Sequence, residues 1–156
     1  MVNDDEEPLK LPDAVKYVFE ECRMVLPGIQ ALFGFQLIAV FNQGFGEKLT
    51  AAEQKLHGAS ILLVIAAIAL VMSPAAVHRK AEPKSASDRF LLVASRFLLA
   101  AMLVLSIALS LDVYVVTKIV WKNSTFAVIA SAVSFVFIVL LWEAYPVVFR
   151  KGERKG

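Results

Sequence analysis

Four long apolar segments, separated by short polar stretches, make up most of this chain. They span approximately residues 24–41, 57–77, 90–116 and 126–149. Each is close to the ~20 residues that an α-helix needs to cross a hydrocarbon core. A soluble bundle would place polar residues at every third or fourth position, yet residues 61–72 contain none. Because only internally hydrogen-bonded segments are stable in lipid, the pattern predicts an all-α integral membrane four-helix bundle that forms a single transmembrane domain over 1–156.

A different pattern precedes the first apolar segment. Charged residues separate apolar ones there, and the apolar ones recur at helical spacing. The apolar positions are Leu11, Val15, Val18, Phe19 and Cys22. This spacing predicts an amphipathic interfacial helix over 11–23 that leads into the first span and packs under the bundle. Pro27-Gly28 lies just inside that span, where a missing N–H and a flexible backbone favour a kink or a break.

Polar residues before the later spans predict where their helices begin. Thr50 followed by Glu53 matches a capping box, so the second helix is expected to begin at residue 51. Ser85 or Ser87 is expected to cap the third helix, and the segment Asn123-Ser124-Thr125 the fourth.

Composition agrees with a membrane protein and narrows the function classes. Hydrophobic residues are 58% of the chain, and the net charge of +2 gives no argument for nucleic acid as a partner. Cys22 is the single cysteine, so neither a disulfide framework nor a cysteine-based zinc site is expected. The acidic start at 3–7 is unlike a signal peptide, so the first span is expected to remain in the mature protein. No phosphate loop, metal spacing or nucleophile pattern occurs, and we expect neither a cofactor nor an enzymatic activity.

Lysine and arginine positions predict the orientation. One side of the membrane would carry Lys10, Lys16, Arg23, Arg79, Lys80, Lys84, Arg89, Arg150, Lys151, Arg154 and Lys155, and the other side only Lys48, Lys55, Lys118 and Lys122. By the positive-inside rule both termini are therefore expected in the cytoplasm.

Polar residues at membrane depth are costly and are candidates for function. Those of spans one and three form a candidate polar path: Gln30, Gln36, Gly34, Asp112, Ser106 and Ser110. Gln30 and Gly34 share a helical face with Arg23 and Pro27. The alternative is that these residues only join helices, with Gln30 as a bridge and Gly34 allowing close packing.

Asp112 is the most informative single residue, because it lies late in the third span, near the outer surface. It shares a face with Ala94, Ala101 and Ala108, so that face would pack on another helix and turn the carboxylate inward. The carboxylate is then a candidate for binding a cation or carrying a proton. The alternative is an interfacial carboxylate that is wetted, or paired with Lys118 or His57.

Charged residues also gather at the inner ends of the spans. The candidate cluster contains Glu20, Arg23, His78, Arg79, Arg96 and Glu143. We expect an ion-pair network there, with Arg23 paired to Glu143 across two helices. A gate or an anionic-lipid site is the alternative.

The first span also resembles a known family. The pattern is Glu21-x-Arg23-Met24-x-x-Pro27-Gly28-x-Gln30-x-Leu32-x-Gly34-Phe35-Gln36, followed by Val40-Phe41-Asn42, Pro74-Ala75-Ala76-x-His78-Arg79, Ser95-Arg96 and Asp112-x-Tyr114-Val115. It is similar to a bacterial family of small four-span membrane proteins classed as a domain of unknown function, over residues 11–118. The resemblance implies a bacterial inner-membrane protein with four helices, and it implies no substrate or catalytic residue.

Two functions remain open at this point. The first is an oligomeric channel or transporter for a small ion, since four helices can hardly enclose a hydrated path alone. Small residues at regular spacing favour a homo-oligomer: Ala59, Ala66 and Ser73 in span two, and Ala127 with Ser131 and Ala130 with Ser134 in span four. The second is a non-transporting scaffold, sensor or accessory subunit. In either function the surrounding partners are membrane lipids, and a membrane enzyme is the least favoured class.

Overall fold

The computed structural model describes residues 10–82 and 87–147, and within them every regular element is helical. The helices in chain order are α1 (Leu11–Phe41), α2 (Gly44–Lys48), α3 (Ala51–Ala81), α4 (Asp88–Trp121) and α5 (Ser124–Val139), which continues as a π-helical turn (Leu140–Ala144). The chain stays helical to Val147, and positions 148–149 of the expected fourth span lie outside the described residues. Four of these helices are long and apolar enough to cross a membrane, which confirms the predicted all-α membrane bundle.

The bundle has two ends that differ in the segments they hold. We call one of them the distal end; it holds the connection from α1 to α3, which includes α2, and the connection from α4 to α5. We call the other the terminal end; it holds the starts of α1 and α4 and the ends of α3 and α5. The described chain therefore begins and ends on the same side of the bundle.

The first helix differs from the sequence prediction. The sequence favours a kink or a break at Pro27-Gly28, and there is no break: α1 is one helix of 31 residues with Pro27 inside it. Packing on both sides of the proline explains this continuity: Val15 and Val18 are buried against Phe90, and Ile29 is buried in the main core. A proline removes one backbone hydrogen bond but has helical φ, so packing that holds both halves in line keeps the helix intact. The amphipathic face is thus packed, while its position at a membrane interface stays a prediction.

The most extensive packing in the bundle joins α3 to α4. The buried residues of α3 alternate at intervals of four and three: Glu53, His57, Ser60, Val64, Ala67, Val71 and Pro74. This is the heptad spacing of antiparallel helices that cross at a small angle. Val64 and Ala67 are fully buried and meet Ala101, Leu105 and Ala108 of α4 in one core.

The predicted caps are present in the described part of the chain. The Thr50 hydroxyl accepts a bond from the backbone N–H of Glu53 at 3.4 Å, and the Glu53 carboxylate accepts one from the N–H of Thr50 at 2.8 Å. Ser87 caps α4 and Asn123 caps α5, each accepting a bond from a backbone N–H of the first turn. Ser85, the alternative cap for α4, lies outside the described residues.

The fourth long helix is attached to one side of the bundle, because α5 packs chiefly on α4. Ala127 is fully buried in this contact. The hydroxyl of Ser131 donates to the backbone carbonyl of Ser110 at 2.7 Å, which ties the two helices in their distal halves. Most of the remaining surface of α5 is exposed and faces lipid in a membrane.

Substituting Thr50 with alanine is expected to lower the free energy of unfolding by about 1 kcal/mol, since the first turn of α3 loses its capping hydroxyl. Denaturant titration in detergent micelles measures the change. Thr125→Ala is the matched control, because Thr125 is an exposed first-turn residue of α5 and not its cap. Equal losses in the two variants would show that the cap of α3 is not the cause.

Candidate functional site

Four polar side chains from three helices meet near the distal end of the bundle. They are Gln36 of α1, His57 and Ser60 of α3, and Asp112 of α4, and we call them the polar cluster. Gln36 is 4% exposed, His57 6% and Ser60 0%. The Asp112 side chain is 17% exposed. Each residue lies within about three helical turns of the distal end of its helix.

Small residues on α4 bring Asp112 into this position. Ala94, Ala101 and Ala108 are buried on the face that Asp112 shares, as the sequence indicates. Because alanine allows close approach, the hydroxyl of Ser60 on α3 reaches the backbone carbonyl of Ala108 and donates to it at 3.0 Å. The carboxylate one turn further along α4 is therefore turned toward α1 and α3.

Gln36 joins all three helices through its amide nitrogen. Nε2 donates to Ser60 Oγ at 2.9 Å and to Asp112 Oδ2 at 2.7 Å. The opposite amide orientation would place an oxygen against the carboxylate, so the neighbouring acceptors fix the orientation seen here. The amide oxygen Oε1 is then left buried, with no hydrogen-bond partner among the residues that the structure describes.

His57 faces Asp112 with one ring nitrogen and α1 with the other. Its Nε2 lies 3.1 Å from the backbone carbonyl oxygen of Gln36, which only accepts, so Nε2 carries a proton. Nδ1 lies 3.5 Å from Asp112 Oδ1. With no proton between them, Nδ1 and Oδ1 would be two acceptors facing each other. One proton shared by the pair removes that repulsion, either as imidazolium with carboxylate or as imidazole with carboxylic acid.

The ring of Phe45 covers the distal side of the polar cluster, and a cleft lies beside the cluster. The ring of Phe45 in α2 lies 5.4 Å from the His57 ring, and Leu49 behind it is buried. Beside the cluster is a cleft of about 240 Å³ whose polar lining comes from Gln36, His57 and Asp112, and whose other walls are apolar residues of α1, α4 and the distal connection. The polar groups are thus covered on the distal side, and they border a cleft whose walls are mainly apolar.

The structure brings together two of the six residues of the predicted polar path, Gln36 and Asp112. Gln30 is exposed on α1, and Gly34 is half-buried with open space around its Cα. Ser106 and Ser110 are buried, but their hydroxyls donate to the backbone carbonyls one turn earlier in α4. Ser110 is two residues, or about 200°, from Asp112 around the helix and faces α5. These four residues therefore lie apart from the cluster.

The structure also distinguishes the two partners that the sequence left open for Asp112. His57 faces the carboxylate, whereas the ammonium of Lys118 donates to the hydroxyl of Ser124.

The charged residues of the terminal end do not form the expected network. In ranges 10–82 and 87–147 the ion pairs are His57–Asp112 and Lys16–Glu20, the latter at 4.0 Å. Arg23 does not pair with Glu143, because Glu143 lies in the π-helical turn after α5, whose main packing partner is α4 rather than α1. Glu143 Oε1 is buried without a hydrogen-bond partner. Arg79 and Arg96 are exposed, and His78 lies between aromatic rings.

Sequence reasoning missed Ser60 and Phe45, and it treated His57 only as one possible partner of Asp112. The heptad spacing of His57, Ser60, Val64, Ala67 and Val71 was the available signal, since it places both polar residues on the inward stripe of α3. Phe45 carries no comparable signal, because it lies in a short connecting helix. Among the described residues, no group of three histidine, cysteine, aspartate or glutamate side chains is arranged to hold a metal ion.

Comparison with known proteins gives one match. A family model described as "Family of unknown function (DUF6328)" matches residues 10–146, which include all four long helices and the polar cluster. No curated protein and no solved structure matches the chain.

Proposed function

The chain belongs to the DUF6328 family, and we propose that it is an oligomeric membrane transporter whose ion is the proton, bound between His57 and Asp112. The observation that carries this proposal is the facing pair of Nδ1 and Oδ1 at 3.5 Å, in a buried site where Nε2 is already committed as a donor. The geometry of the two facing atoms suits one proton held between them. Ionisable pairs of this kind at membrane depth are the usual elements of proton relays.

The surroundings of the pair favour a carrier over an open pore. Toward the terminal end, the residues that follow the cluster are the apolar core of Ile29, Val64, Val71 and Leu105. Such a core offers no polar groups to a chain of water. The proton would therefore enter and leave through the lateral cleft, with access changing as helices or subunits move.

The exposed faces of α3 and α5 fit the oligomer that is part of this proposal. The small residues Ala59 and Ala66 are exposed on α3, on the side away from the polar cluster stripe, and most of α5 is exposed as well. Close approach of small residues is how membrane helices associate, so a second copy of the chain fits these faces. As part of this proposal, both termini would lie in the cytoplasm, in line with the lysine and arginine distribution, and the polar cluster would lie nearer the outside. A bacterial inner membrane is what the resemblance of the first span implies.

A non-transporting scaffold is the second candidate, and one observation favours it. Every hydrogen bond donated by the side chains of Gln36 and Ser60 joins one helix to another, as expected for residues that only hold a bundle together. In both candidates the chain is not an enzyme.

A flux measurement separates the two candidates. The purified chain is reconstituted into liposomes that contain a pH-sensitive dye, and a pH step is applied with potassium and valinomycin holding the membrane potential near zero. We expect proton flux well above that of protein-free liposomes, unchanged when an opposing sodium gradient is present. Flux equal to that of protein-free liposomes would contradict transport and support the scaffold. Flux that follows the sodium gradient would contradict the assignment of the proton.

A further inference from the structure

A groove at the terminal end, between α1 and α3, is separate from the polar cluster. It consists of two adjoining cavities of about 430 and 770 Å³ that share Phe19 and His78. The first cavity is also lined by Lys16, Glu20 and Arg23 of α1, and the second by Arg79 of α3. We call these residues the basic groove.

The charges of the groove favour an anion. Among the described residues that line either cavity, Glu20 is the one acidic residue, and it faces Lys16 at 4.0 Å. Arg23 and Arg79 form no ion pair with any of the described residues, so two guanidinium groups remain available. Arginine binds phosphate groups through paired N–H donors.

His78 packs between aromatic rings and lines both cavities. Its ring packs against Phe19 at 5.5 Å and against Phe90 at 5.4 Å between centroids. Nδ1 is buried without a hydrogen-bond partner among the described residues. Because it lines both basic cavities, the imidazole of His78 is a further polar group for an anionic ligand.

Apolar surface continues from the groove along α3 toward the membrane centre. Met72, which is 48% exposed, lines the larger cavity together with Ala75 and Ala76. A ligand that fits this surface has an anionic head and an apolar tail. We propose that the basic groove binds an anionic phospholipid, with the head-group phosphate at Arg23, His78 and Arg79 and an acyl chain along Met72. A free phosphate would not use the apolar part of the site.

Binding of phosphatidylglycerol to the purified full chain in detergent tests this proposal, with bound lipid counted by native mass spectrometry. Each arginine near an anionic membrane surface strengthens binding by a factor of about five. Arg23→Gln with Arg79→Gln is therefore expected to weaken phosphatidylglycerol binding about thirtyfold. Phosphatidylcholine, whose head group is neutral overall, is expected to bind weakly both to the unaltered chain and to this double variant.

The control removes the same charge from the same end of the bundle. Arg89 and Arg96 are exposed on α4 and do not line the groove, so Arg89→Gln with Arg96→Gln is expected to leave binding unchanged. Equal weakening in both double variants would overturn the site, because only total charge would matter. Competition by inorganic phosphate at concentrations similar to the lipid would overturn the choice of lipid. His78→Phe keeps an aromatic ring between Phe19 and Phe90, and unchanged binding by this folded variant would remove the imidazole from the site.

Discussion

Replacing Asp112 with asparagine is expected to lower proton flux in liposomes to the level of protein-free liposomes, with the fold retained. Asparagine has the shape of aspartate, and its carbonyl oxygen can still accept the bond from Gln36 Nε2. Its amide group can donate to Nδ1 of His57, which removes the need for a shared proton. The variant therefore keeps the contacts between helices but loses the group that holds the ion.

Asp13→Asn is the matched control for this variant, because Asp13 is exposed in the first turn of α1, far from the polar cluster. It removes the same charge and is expected to leave flux unchanged. Thermal unfolding in detergent checks that both variants are folded. Undiminished flux in folded Asp112→Asn would exclude this carboxylate from transport, whatever other route the ion takes.

The second large effect is expected from Ala108→Leu. Ala108 is fully buried in the core between α3 and α4, and its carbonyl accepts the bond from Ser60 at 3.0 Å. Three additional carbon atoms must force the two helices apart, and overpacking of this kind costs about 1–3 kcal/mol. Separation of the helices also breaks the Ser60 bond. We expect a loss of about 3 kcal/mol in the free energy of unfolding, at the upper end of that range.

Denaturant titration in mixed micelles measures this loss. Ala100→Leu provides the same change at an exposed position of α4 and is expected to alter stability by less than about 0.5 kcal/mol. Similar stabilities for the two leucine variants would show that the α3–α4 contact adapts to larger side chains. In that case the position of Asp112 would not depend on Ala108.

The fold was predictable from the sequence because its determinants are local. Length and hydropathy define the four spans, and Thr50, Ser87 and Asn123 cap helices by bonds within one turn. The shared face of Ala108 and Asp112 likewise follows from helical spacing alone. The continuity of α1 was not predictable, since Pro27 by itself favours a break and only tertiary packing on both sides of it keeps the helix straight enough to continue.

The site was predictable only in part, for a reason that α1 illustrates. Gln30 and Gln36 are about 240° apart around the helix, and nothing in the sequence states which of them faces the bundle. This spacing alone would suit a helix that offers amides to two neighbours. In the structure α1 lies at the edge of the bundle, so one amide is buried and the other is exposed. The partner of the buried amide depends on the arrangement of three helices, which no single helical pattern contains.

The bonds of Gln36 and Ser60 have a mechanical consequence for α1. They link α1, α3 and α4 at the distal end, whereas at the terminal end α1 meets its neighbours through the apolar and aromatic side chains around Val15, Val18 and Phe19. Lipid tails can replace apolar contacts with little loss, but they cannot replace hydrogen bonds. The hydrogen bonds therefore anchor α1 at the polar cluster, whereas apolar and aromatic packing holds the half of the helix that carries one wall of the basic groove.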